Sequence, residues 1–285
     1  MNAAIAALIA GLLAAGAVHG QALEGRLKKI AETKSIAIAY RADAIPFSFA
    51  NDKGEVQGFS IDLCKRVVGS IERQLKVESL KVNWVPVTAQ SRFDAVAKGR
   101  ADLECGSSTI TLARMRQVDF SNITFVETTG LLVKTASGAR SLSDLSGKRI
   151  AVIKGTTNER AITEHLKRRD LNAAVVPLAS REEAMEALEE GKADAFASDR
   201  LLLVGAASKA KDAGALTLLA DQLSYEPYGI VLPRGDAGLR LAVNSALARL
   251  YASGEVAEIF RRWFSQLGKP SAVLEAVYIL GAIPE

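Results

Sequence analysis

Two arginines occupy positions at which a parallel sheet would present them to a ligand. Arg41 ends the predicted strand SIAIAYR, and Arg92 begins a predicted helix after the strand KVNWVPV. Both positions lie at the carboxyl edge of such a sheet, where open α/β folds bind their ligands. Neighbouring guanidinium groups in a closed cleft repel each other unless an anion lies between them, so this pair favours an acidic ligand over a neutral one.

Other polar residues also follow predicted strands. In the segment from Gly155 to Thr157 a strand ends and a helix begins, so free backbone N–H groups and the helix dipole favour an anion there. Taken alone, Thr157 is better explained as a capping threonine. Asp199 follows the strand ADAFAS, where its position also permits it to cap the helix that begins near Leu201.

The composition limits the kinds of site that this chain can form. Its 285 residues are 49% hydrophobic and 24% charged, a globular composition with room for two cores of roughly 100 to 150 residues each. The net charge is +4 and no long basic run is present, so we expect no nucleic-acid partner. Only His19 and His165 are present, which excludes a site built from several imidazoles. We expect neither a metal nor a cofactor.

The first 22 residues, MNAAIAALIAGLLAAGAVHGQA, form an uncharged apolar stretch. Small residues at Val18 and Gly20, or at Gly20 and Ala22, have the spacing of a signal-peptidase site, although the start lacks the usual Lys or Arg. We therefore expect a signal peptide over residues 1–22 that is removed on export. A single membrane anchor is the alternative, at the lower limit of length for a span.

Cys64 and Cys105 form an even pair in a chain that we expect to enter an oxidising compartment. A disulfide between them would close a loop of about 40 residues and contribute about 3 to 4 kcal/mol in the loop-entropy description. Two buried free thiols are the alternative. Without histidine partners, these cysteines predict neither a metal site nor a thiol-protease centre.

Strand and helix patterns alternate in two rounds along the chain. The first round contains strands at 35–41, 81–87 and 101–105, and helices at 59–75, 91–99 and around 111–117. The second round contains strands at 149–153, 173–178 and 193–197, and helices at 156–169, 181–190 and from about residue 200. Each βαβαβ round predicts a parallel sheet flanked by helices, and therefore an α/β protein with two lobes.

Two apolar stretches connect the rounds. The run ITFVETTGLLVKT (123–135) is too long for one strand within a compact lobe, and YGIVLPR (228–234) follows the second round. We expect both stretches to cross between the lobes, with the last predicted helices returning to the first lobe. Lobe 1 would then contain residues 23–128 and 229–285, and lobe 2 residues 129–228. A hinge between two such lobes creates a cleft that can close on a ligand.

Seven segments, taken in order, resemble the periplasmic amino-acid-binding proteins of bacterial ABC importers, family 3 of the solute-binding proteins. These segments are PFSF, VQGFSIDLC, ECGSSTIT, VDFSNITFVETTGLLVK, LSGKRIAVIKGTTNE, YEPYGIVL and SGEVAEIFRRWF. They are similar in particular to the glutamate/aspartate-binding branch. The resemblance implies a two-lobed periplasmic-binding-protein fold, in which each lobe has a mainly parallel sheet and two crossing hinge strands join the lobes.

The resemblance also implies which residues would bind the backbone of an amino acid. Arg114 matches the arginine that binds the α-carboxylate together with Thr109, and two parallel N–H donors of a guanidinium suit the two oxygens of a carboxylate. Asp199 matches the aspartate that binds the ammonium group, with Ser107 as a further acceptor. Thr157 matches a threonine that contacts the ligand.

For the ligand side chain, Arg41 and Arg92 match two arginines that bind the second carboxylate in the glutamate/aspartate branch. Two positions depart from that branch. Ala89 replaces a serine that often binds the side chain, and Arg181 replaces a histidine near it. If Arg181 faces the cleft, it adds positive charge and can shift preference towards aspartate or another dicarboxylate; if it points outwards, it is only a first-turn helix residue.

The resemblance implies a non-enzymatic, periplasmic receptor that closes on glutamate or aspartate and delivers it to the membrane permease of an ABC importer. We expect a monomer. One alternative is an enzyme similar to cyclohexadienyl dehydratase with Asp199 or Glu104 as its acid-base group. However, Asp199 has the simpler role of ammonium partner, and Glu104 lies in a strand that should be buried. Another alternative is a free ligand sensor that docks on a membrane receptor.

Overall fold

The computed structural model describes residues 23–284, so the signal peptide or membrane anchor predicted for residues 1–22 lies outside the described residues. Across residues 23–284, none of the helices combines the length and the apolar character that a bilayer span requires.

The first part of the chain alternates strands and helices, as its hydrophobic pattern predicts. Its elements are α1 (Gly25–Thr33), β1 (Ser35–Arg41), β2 (Asp43–Ala44), β3 (Ser48–Ala50), β4 (Val56–Gln57), α2 (Phe59–Leu75), β5 (Lys81–Val87), α3 (Arg92–Ala97), β6 (Leu103–Glu104) and β7 (Val118–Phe120). The bounds of β1, α2 and β5 are those predicted. The side chains of α2 face the core and the solvent in turn at helical spacing, which explains why this helix could be predicted from the sequence.

The rest of the chain contains the second round and the helices that follow it. Its elements are β8 (Phe125–Glu127), β9 (Thr129–Lys134), β10 (Arg149–Ile153), α4 (Thr157–Arg168), β11 (Ala174–Leu178), α5 (Arg181–Glu189), β12 (Ala195–Asp199), α6 (Arg200–Ala207), β13 (Leu216–Leu218), β14 (Glu226–Tyr228), β15 (Val231–Pro233), α7 (Ala237–Ala252), α8 (Glu255–Phe264) and α9 (Ala272–Gly281).

The helix predicted around residues 111–117 is wrong in kind and length. The chain forms only a short 3₁₀ turn, Arg114–Arg116, before it enters β7. The hydroxyl of Thr111 accepts a hydrogen bond from the backbone N–H of Arg114 at 3.1 Å. Such a local bond offers the backbone an alternative to helical pairing, and the nearby strand leaves no room for further turns.

Each of the two five-stranded sheets contains one reversed strand. The first sheet has the order β5-β1-β6-β15-β7 and the second the order β11-β10-β12-β9-β13. In the first sheet β15 runs antiparallel to both of its neighbours, and in the second β9 does so. Four of the five strands in each sheet run in one direction, which confirms the predicted mainly parallel sheets, and the strand that enters from the hinge runs against them.

The first crossing stretch, residues 123–135, divides into a hinge strand, β8, and a sheet strand, β9. The second, predicted at 228–234, contains the sheet strand β15 and only the last residue of the hinge strand β14, which begins at Glu226. β8 and β14 pair antiparallel with each other, with Glu127 opposite Glu226 and Phe125 opposite Tyr228. The chain thus crosses between the sheets twice, through two strands that pair with each other.

The two sheets have separate hydrophobic cores. Phe59 of α2, Val243 of α7, Phe260 of α8 and Leu274 of α9 belong to one core on the first sheet, so the last helices return to it as predicted. The second sheet packs around another core. We call the elements on each sheet the first half and the second half, and we retain the predicted lobe boundaries at 128/129 and 228/229 as a proposal.

A disulfide joins Cys64 of α2 to Cys105, which directly follows β6. The Cα atoms of the two residues lie 6.4 Å apart, within the range that a disulfide requires. The bond connects a helix of the first half to the strand that leads into the loop at residues 106–109. The structure therefore contains the disulfide and not the alternative pair of free thiols.

Candidate functional site

The carboxyl ends of parallel strands from both sheets meet at a cavity between the two halves. In the first half β1 and β6 lead to its wall, and in the second half β10 and β12 do so. Seven of the eight ligand-binding residues predicted from the sequence line it, and Arg114 is the exception. The lining consists of Arg41, Ala89, Arg92, Ser107, Thr109, Ile153, Thr156, Thr157, Asn158, Arg181, Ser198, Asp199 and Leu202.

The two halves touch each other around this cavity. Nε2 of Gln90 donates hydrogen bonds to the carbonyl oxygens of Lys154 at 3.1 Å and Ala179 at 3.2 Å. The hydroxyls of Thr109 and Thr157 lie 3.4 Å apart. The cavity has a volume of about 20 Å³, far below the roughly 300 to 1,000 Å³ of small-molecule sites. An amino acid can therefore enter only when the two halves separate.

A glycine makes a further contact between the halves. Gly205 of α6 lies against the backbone of Ile45, and a Cβ atom at Gly205 would collide with the carbonyl oxygen of Ile45. Only glycine permits so close an approach. The contact therefore depends on the absence of a side chain at position 205.

Three buried guanidinium groups line the cavity. Arg41 and Arg92 are each 3% exposed and Arg181 is 6% exposed. Arg181 begins α5; its Nε donates to the carbonyl oxygen of Asp43 at 3.0 Å, and its Nη1 donates to the hydroxyl of Ser198 at 2.9 Å. Of the two orientations that the sequence allowed for Arg181, the structure has the one that faces the cleft.

Asp43 binds the guanidinium group of Arg41. Nε of Arg41 donates to Oδ1 at 3.0 Å and Nη2 donates to Oδ2 at 2.9 Å, a two-point geometry that makes a strong ion pair. Burial alone would raise the pKa of Asp43, but the charges of Arg41 and Arg181 bring it below its ordinary value. Sequence reasoning missed Asp43. Its signal was its separation of two residues from Arg41, which places side chains on one side of an extended chain.

Arg92 is partnered differently. Its Nη1 donates to the carbonyl oxygen of Ser107 at 3.3 Å, and its guanidinium lies 4.8 Å from the ring centre of Phe93. Its Nε has no hydrogen-bond partner among residues 23–284. Burial, and then the like charges of Arg114 and Arg41, lower the pKa of Arg92 to about 9. A carboxylate bound to this guanidinium would offset these unfavourable effects.

Glu104 is fully buried, as predicted for its strand. Its Oε2 accepts a hydrogen bond from the hydroxyl of Ser108 at 2.7 Å, and its Oε1 has no partner in the described part of the chain. Burial raises the pKa of Glu104 against the opposing charges of Arg92 and Arg41. Glu104 is not part of the cavity lining. It therefore does not face the ligand in the way that an acid-base group would require.

Arg114 lies at the margin of the cavity. Its Nη1 donates to the carbonyl oxygen of Thr109 at 2.7 Å, and its guanidinium lies 4.8 Å from the ring centre of Phe93. Burial lowers the pKa of Arg114, although the charges of Glu226 and Asp199 oppose this shift. Arg114 therefore lies close to both the basic and the acidic residues of the site.

Asp199 accepts hydrogen bonds from two buried donors. Nδ2 of Asn158 donates to Oδ1 at 2.7 Å, and the hydroxyl of Tyr228 donates to Oδ2 at 2.5 Å. Asp199 occupies the N-cap position of α6, but its side chain accepts no capping bond from the described helix. A carboxylate oxygen of Glu127 accepts from the backbone N–H of Leu201 instead, at 3.1 Å. The carboxylate of Asp199 is thus directed into the site.

Glu226 is a second acidic residue of the site that sequence reasoning missed. It is buried in hinge strand β14 and accepts a hydrogen bond of 2.6 Å from the hydroxyl of Thr157. The capping threonine of α4 is Thr156, whose hydroxyl accepts from the backbone N–H of Glu159. Thr156 is therefore the cap, and Thr157 lines the cavity without a capping role. The signal for Glu226 was its place in the segment YEPYGIVL, two residues before the predicted crossing stretch 228–234.

Three buried carboxylates influence one another near the hinge. Burial, and then the charge of Glu226, raise the pKa of Asp199 to about 6. Burial, and then the charge of Asp199, raise the pKa of Glu127 to about 8. Asp199 lines the cavity, and Glu226 accepts a hydrogen bond from Thr157 of the lining. The cavity therefore has an acidic side, near these two carboxylates, and a basic side formed by Arg41, Arg92 and Arg181.

The chain matches one family over most of its length. The model for bacterial extracellular solute-binding proteins, family 3, matches residues 36–266. The L-glutamate/L-aspartate-binding protein of Pseudomonas aeruginosa is 37% identical over 261 residues, which covers 91% of this chain and 86% of the relative. The glutamate/aspartate import solute-binding protein of Escherichia coli K12 is 30% identical over 262 residues, which covers 90% of this chain and 87% of the relative.

A solved structure shows the same arrangement of elements. It is the ancestral amino acid-binding protein that is a precursor of cyclohexadienyl dehydratase, with 28% sequence identity and a TM-score of 0.73. The match covers 84% of this chain and 100% of the ancestral protein. The structural comparison and the sequence comparisons therefore both relate this chain to amino-acid-binding proteins.

Proposed function

The chain belongs to family 3 of the bacterial extracellular solute-binding proteins, and from this premise we propose that it binds glutamate or aspartate in the cleft between its halves. Its relatives are transport binding proteins and not enzymes, and the chain is a non-enzymatic amino-acid-binding protein of ABC import. The question that the family leaves open is which amino acid this cleft selects, since other relatives are a glutamine-binding protein and a probable histidine-binding protein.

The environment of Arg92 is the main observation in favour of an acidic ligand. Its guanidinium is buried and its Nε has no hydrogen-bond partner within residues 23–284. Burial, and then the charges of Arg114 and Arg41, lower its pKa to about 9. A neutral amide could only accept an uncharged hydrogen bond from this guanidinium, whereas a side-chain carboxylate would form an ion pair with it. Arg181 lines the same cavity and adds a second cation. These features favour glutamate or aspartate over the amides.

The acidic side of the cavity supports binding of the ligand's ammonium group. Asp199 lines the cavity, and Glu226 accepts a hydrogen bond from Thr157, which also lines the cavity. An ammonium group between these carboxylates would relieve their mutual repulsion and lower the raised pKa of Asp199. We assign Asp199 as the ammonium partner and Ser107 as a further acceptor.

Arg114 is our candidate for the α-carboxylate. It lies beside Thr109, which lines the cavity, and between the charges of the acidic and basic sides. We assign Thr109 and Thr157, whose hydroxyls face each other across the cleft, as further ligand contacts. The two threonines belong to different halves, one to each, so a ligand that contacts both would favour the closed arrangement.

For delivery to a membrane permease, the protein with a bound ligand must differ in structure from the empty protein. The paired hinge strands β8 and β14 allow the halves to separate and close, and closure brings the two faces beside the cleft into a fixed relationship. We propose that the permease recognises these faces in the closed form. We also propose export by a signal peptide over residues 1–22 and a periplasmic location, which the disulfide supports.

Isothermal titration with four ligands tests this proposal. The mature protein is unfolded to remove bound amino acid, refolded, and titrated with glutamate, aspartate, glutamine and asparagine. We expect tight binding of one or both acids and binding of the amides that is at least about tenfold weaker, because the amides cannot form an ion pair with Arg92. Equal affinities for acids and amides would overturn the proposed selectivity, and binding of none of the four would overturn the ligand class.

A further inference from the structure

The ion pair between Arg41 and Asp43 affects which ligand the cleft selects. Arg41 lines the cavity, but two of its N–H donors are bound to the carboxylate of Asp43. We propose that Asp43 is a specificity-determining residue: it acts as a resident counter-ion of Arg41 and leaves the ligand's side-chain carboxylate to Arg92 and Arg181. This inference rests on the proposed function.

Asp43 contacts cations of both halves. Its carboxylate pairs with Arg41 of the first half, and its carbonyl oxygen accepts a hydrogen bond from Nε of Arg181 of the second half at 3.0 Å. Closure of the cleft therefore brings Arg181 up to the pair already formed by Arg41 and Asp43. With Asp43 ionised, this group of three side chains carries one positive charge and not two.

The counter-ion changes what closure requires of a ligand. Without Asp43, closing the cleft would bring two guanidinium groups together, and only an anionic ligand could offset their repulsion. With Asp43, part of that repulsion is already offset, so a neutral side chain is tolerated better. Asp43 thus lowers the discrimination between acids and their amides.

The position of Asp43 also makes it testable. Its side chain is 35% exposed and lies at the rim of the cleft, outside the hydrophobic cores. The charges of Arg41 and Arg181 keep its pKa below the ordinary value, so it remains ionised at neutral pH. An Asp43→Asn substitution keeps the shape of the side chain and removes only the charge.

The experiment measures the affinities of glutamate and glutamine in the wild type, Asp43→Asn and Asp52→Asn by isothermal titration at pH 7. Asp52→Asn is the matched control, because Asp52 is exposed in a surface turn and the substitution changes net charge equally. We expect the ratio of glutamate to glutamine affinity to rise about tenfold in Asp43→Asn, and to stay within about twofold in the control. Asp43→Ala is a second variant with the same expected direction.

A double variant identifies Arg41 as the partner. In an Arg41→Ala background, Asp43→Asn should raise the ratio much less, since its ion-pair partner is absent and only the charge of Arg181 remains beside it. An unchanged or lower ratio in Asp43→Asn, in a wild type that prefers the acids, would overturn this inference alone. A wild type without preference for the acids would overturn the proposed function, and a rise of the ratio in Asp43→Asn would then still support the counter-ion role.

Discussion

The hydroxyl of Tyr228 donates a hydrogen bond of 2.5 Å to Oδ2 of Asp199, which joins hinge strand β14 to the end of β12. Tyr228→Phe removes this bond but keeps the ring that packs on Phe47. We expect the free energy of unfolding in denaturant to fall by about 1.5 to 3 kcal/mol, the usual worth of a hydrogen bond to a charged group. Tyr225→Phe, at a residue that is 60% exposed, is the control and should change it little. Equal effects of the two substitutions would contradict this role.

Acidification should weaken amino-acid binding. The raised pKa of Asp199, about 6, means that its carboxyl takes up a proton just below neutral pH and then no longer pairs with an ammonium group. We expect affinity to fall by up to about tenfold per pH unit below about pH 6. Titration calorimetry between about pH 5 and pH 8 at constant ionic strength checks this. Constant affinity across that interval would argue against Asp199 as the ammonium partner.

Acidification should have the opposite effect on the stability of the unliganded protein. The pKa of Glu127, about 8, and that of Asp199, about 6, both lie above the ordinary values that apply in the unfolded chain. Above their ordinary pKa values, these two groups bind more protons in the folded protein than in the unfolded chain, so their contribution to the free energy of unfolding increases as the pH falls through about 8 and then about 6. Denaturant unfolding at several pH values measures this. In Glu127→Gln the slope above about pH 6 should become smaller, and an unchanged slope would exclude Glu127 as its source.

A side chain at position 205 should obstruct closure. Because a Cβ atom at Gly205 would collide with the backbone of Ile45, Gly205→Ala should weaken binding of every amino acid without changing selectivity. We expect a loss of about tenfold or more in affinity. Gly69→Ala in α2 is the matched control, because its Cβ would have only ordinary contacts, 3.8 Å and beyond. Small-angle scattering with saturating ligand should show a larger radius of gyration for Gly205→Ala alone; identical radii would contradict the obstruction.

Two arginine substitutions should distinguish the residue that binds the side-chain carboxylate of the ligand from the residue that binds its α-carboxylate. Arg92→Ala should reduce glutamate affinity by about a hundredfold and glutamine affinity far less, because a buried charge loses its partner only in the acid. Arg114→Ala should reduce both affinities strongly, since every amino acid has an α-carboxylate. Calorimetry of both variants with both ligands checks this. Equal losses for glutamate and glutamine in Arg92→Ala would refute the side-chain assignment.

Hydrophobic periodicity was sufficient to predict the elements that carry the site. The bounds of β1 and β5 follow from apolar runs, and the rule that ligands bind at the carboxyl edge of parallel strands predicted the positions of Arg41 and Arg92. The structure brings both arginines to the cavity. The resemblance to a family then added Asp199 and Thr157, for which local pattern alone offered only a capping role.

Residues that act through pairing across the chain were not predictable in the same way. Glu127 and Glu226 lie opposite each other only because β8 and β14 pair in one register, which the sequence of either strand does not specify. The contact of Arg181 with Asp43 depends on how the halves meet. The 3₁₀ turn at Arg114 escaped prediction because a local hydrogen bond from its backbone N–H to the hydroxyl of Thr111 competes with helix formation.

The place of β15 in the first sheet determines the order in which the chain can fold. β15 lies between β6 and β7, although it is synthesised long after both. All strands of the second sheet come from the continuous segment 129–218. The second half can therefore fold as soon as it has emerged, whereas the edges of β6 and β7 stay unpaired until residues 231–233 arrive between them. A chain built in this way completes its first sheet only when its synthesis is almost finished, although its second sheet can be complete well before.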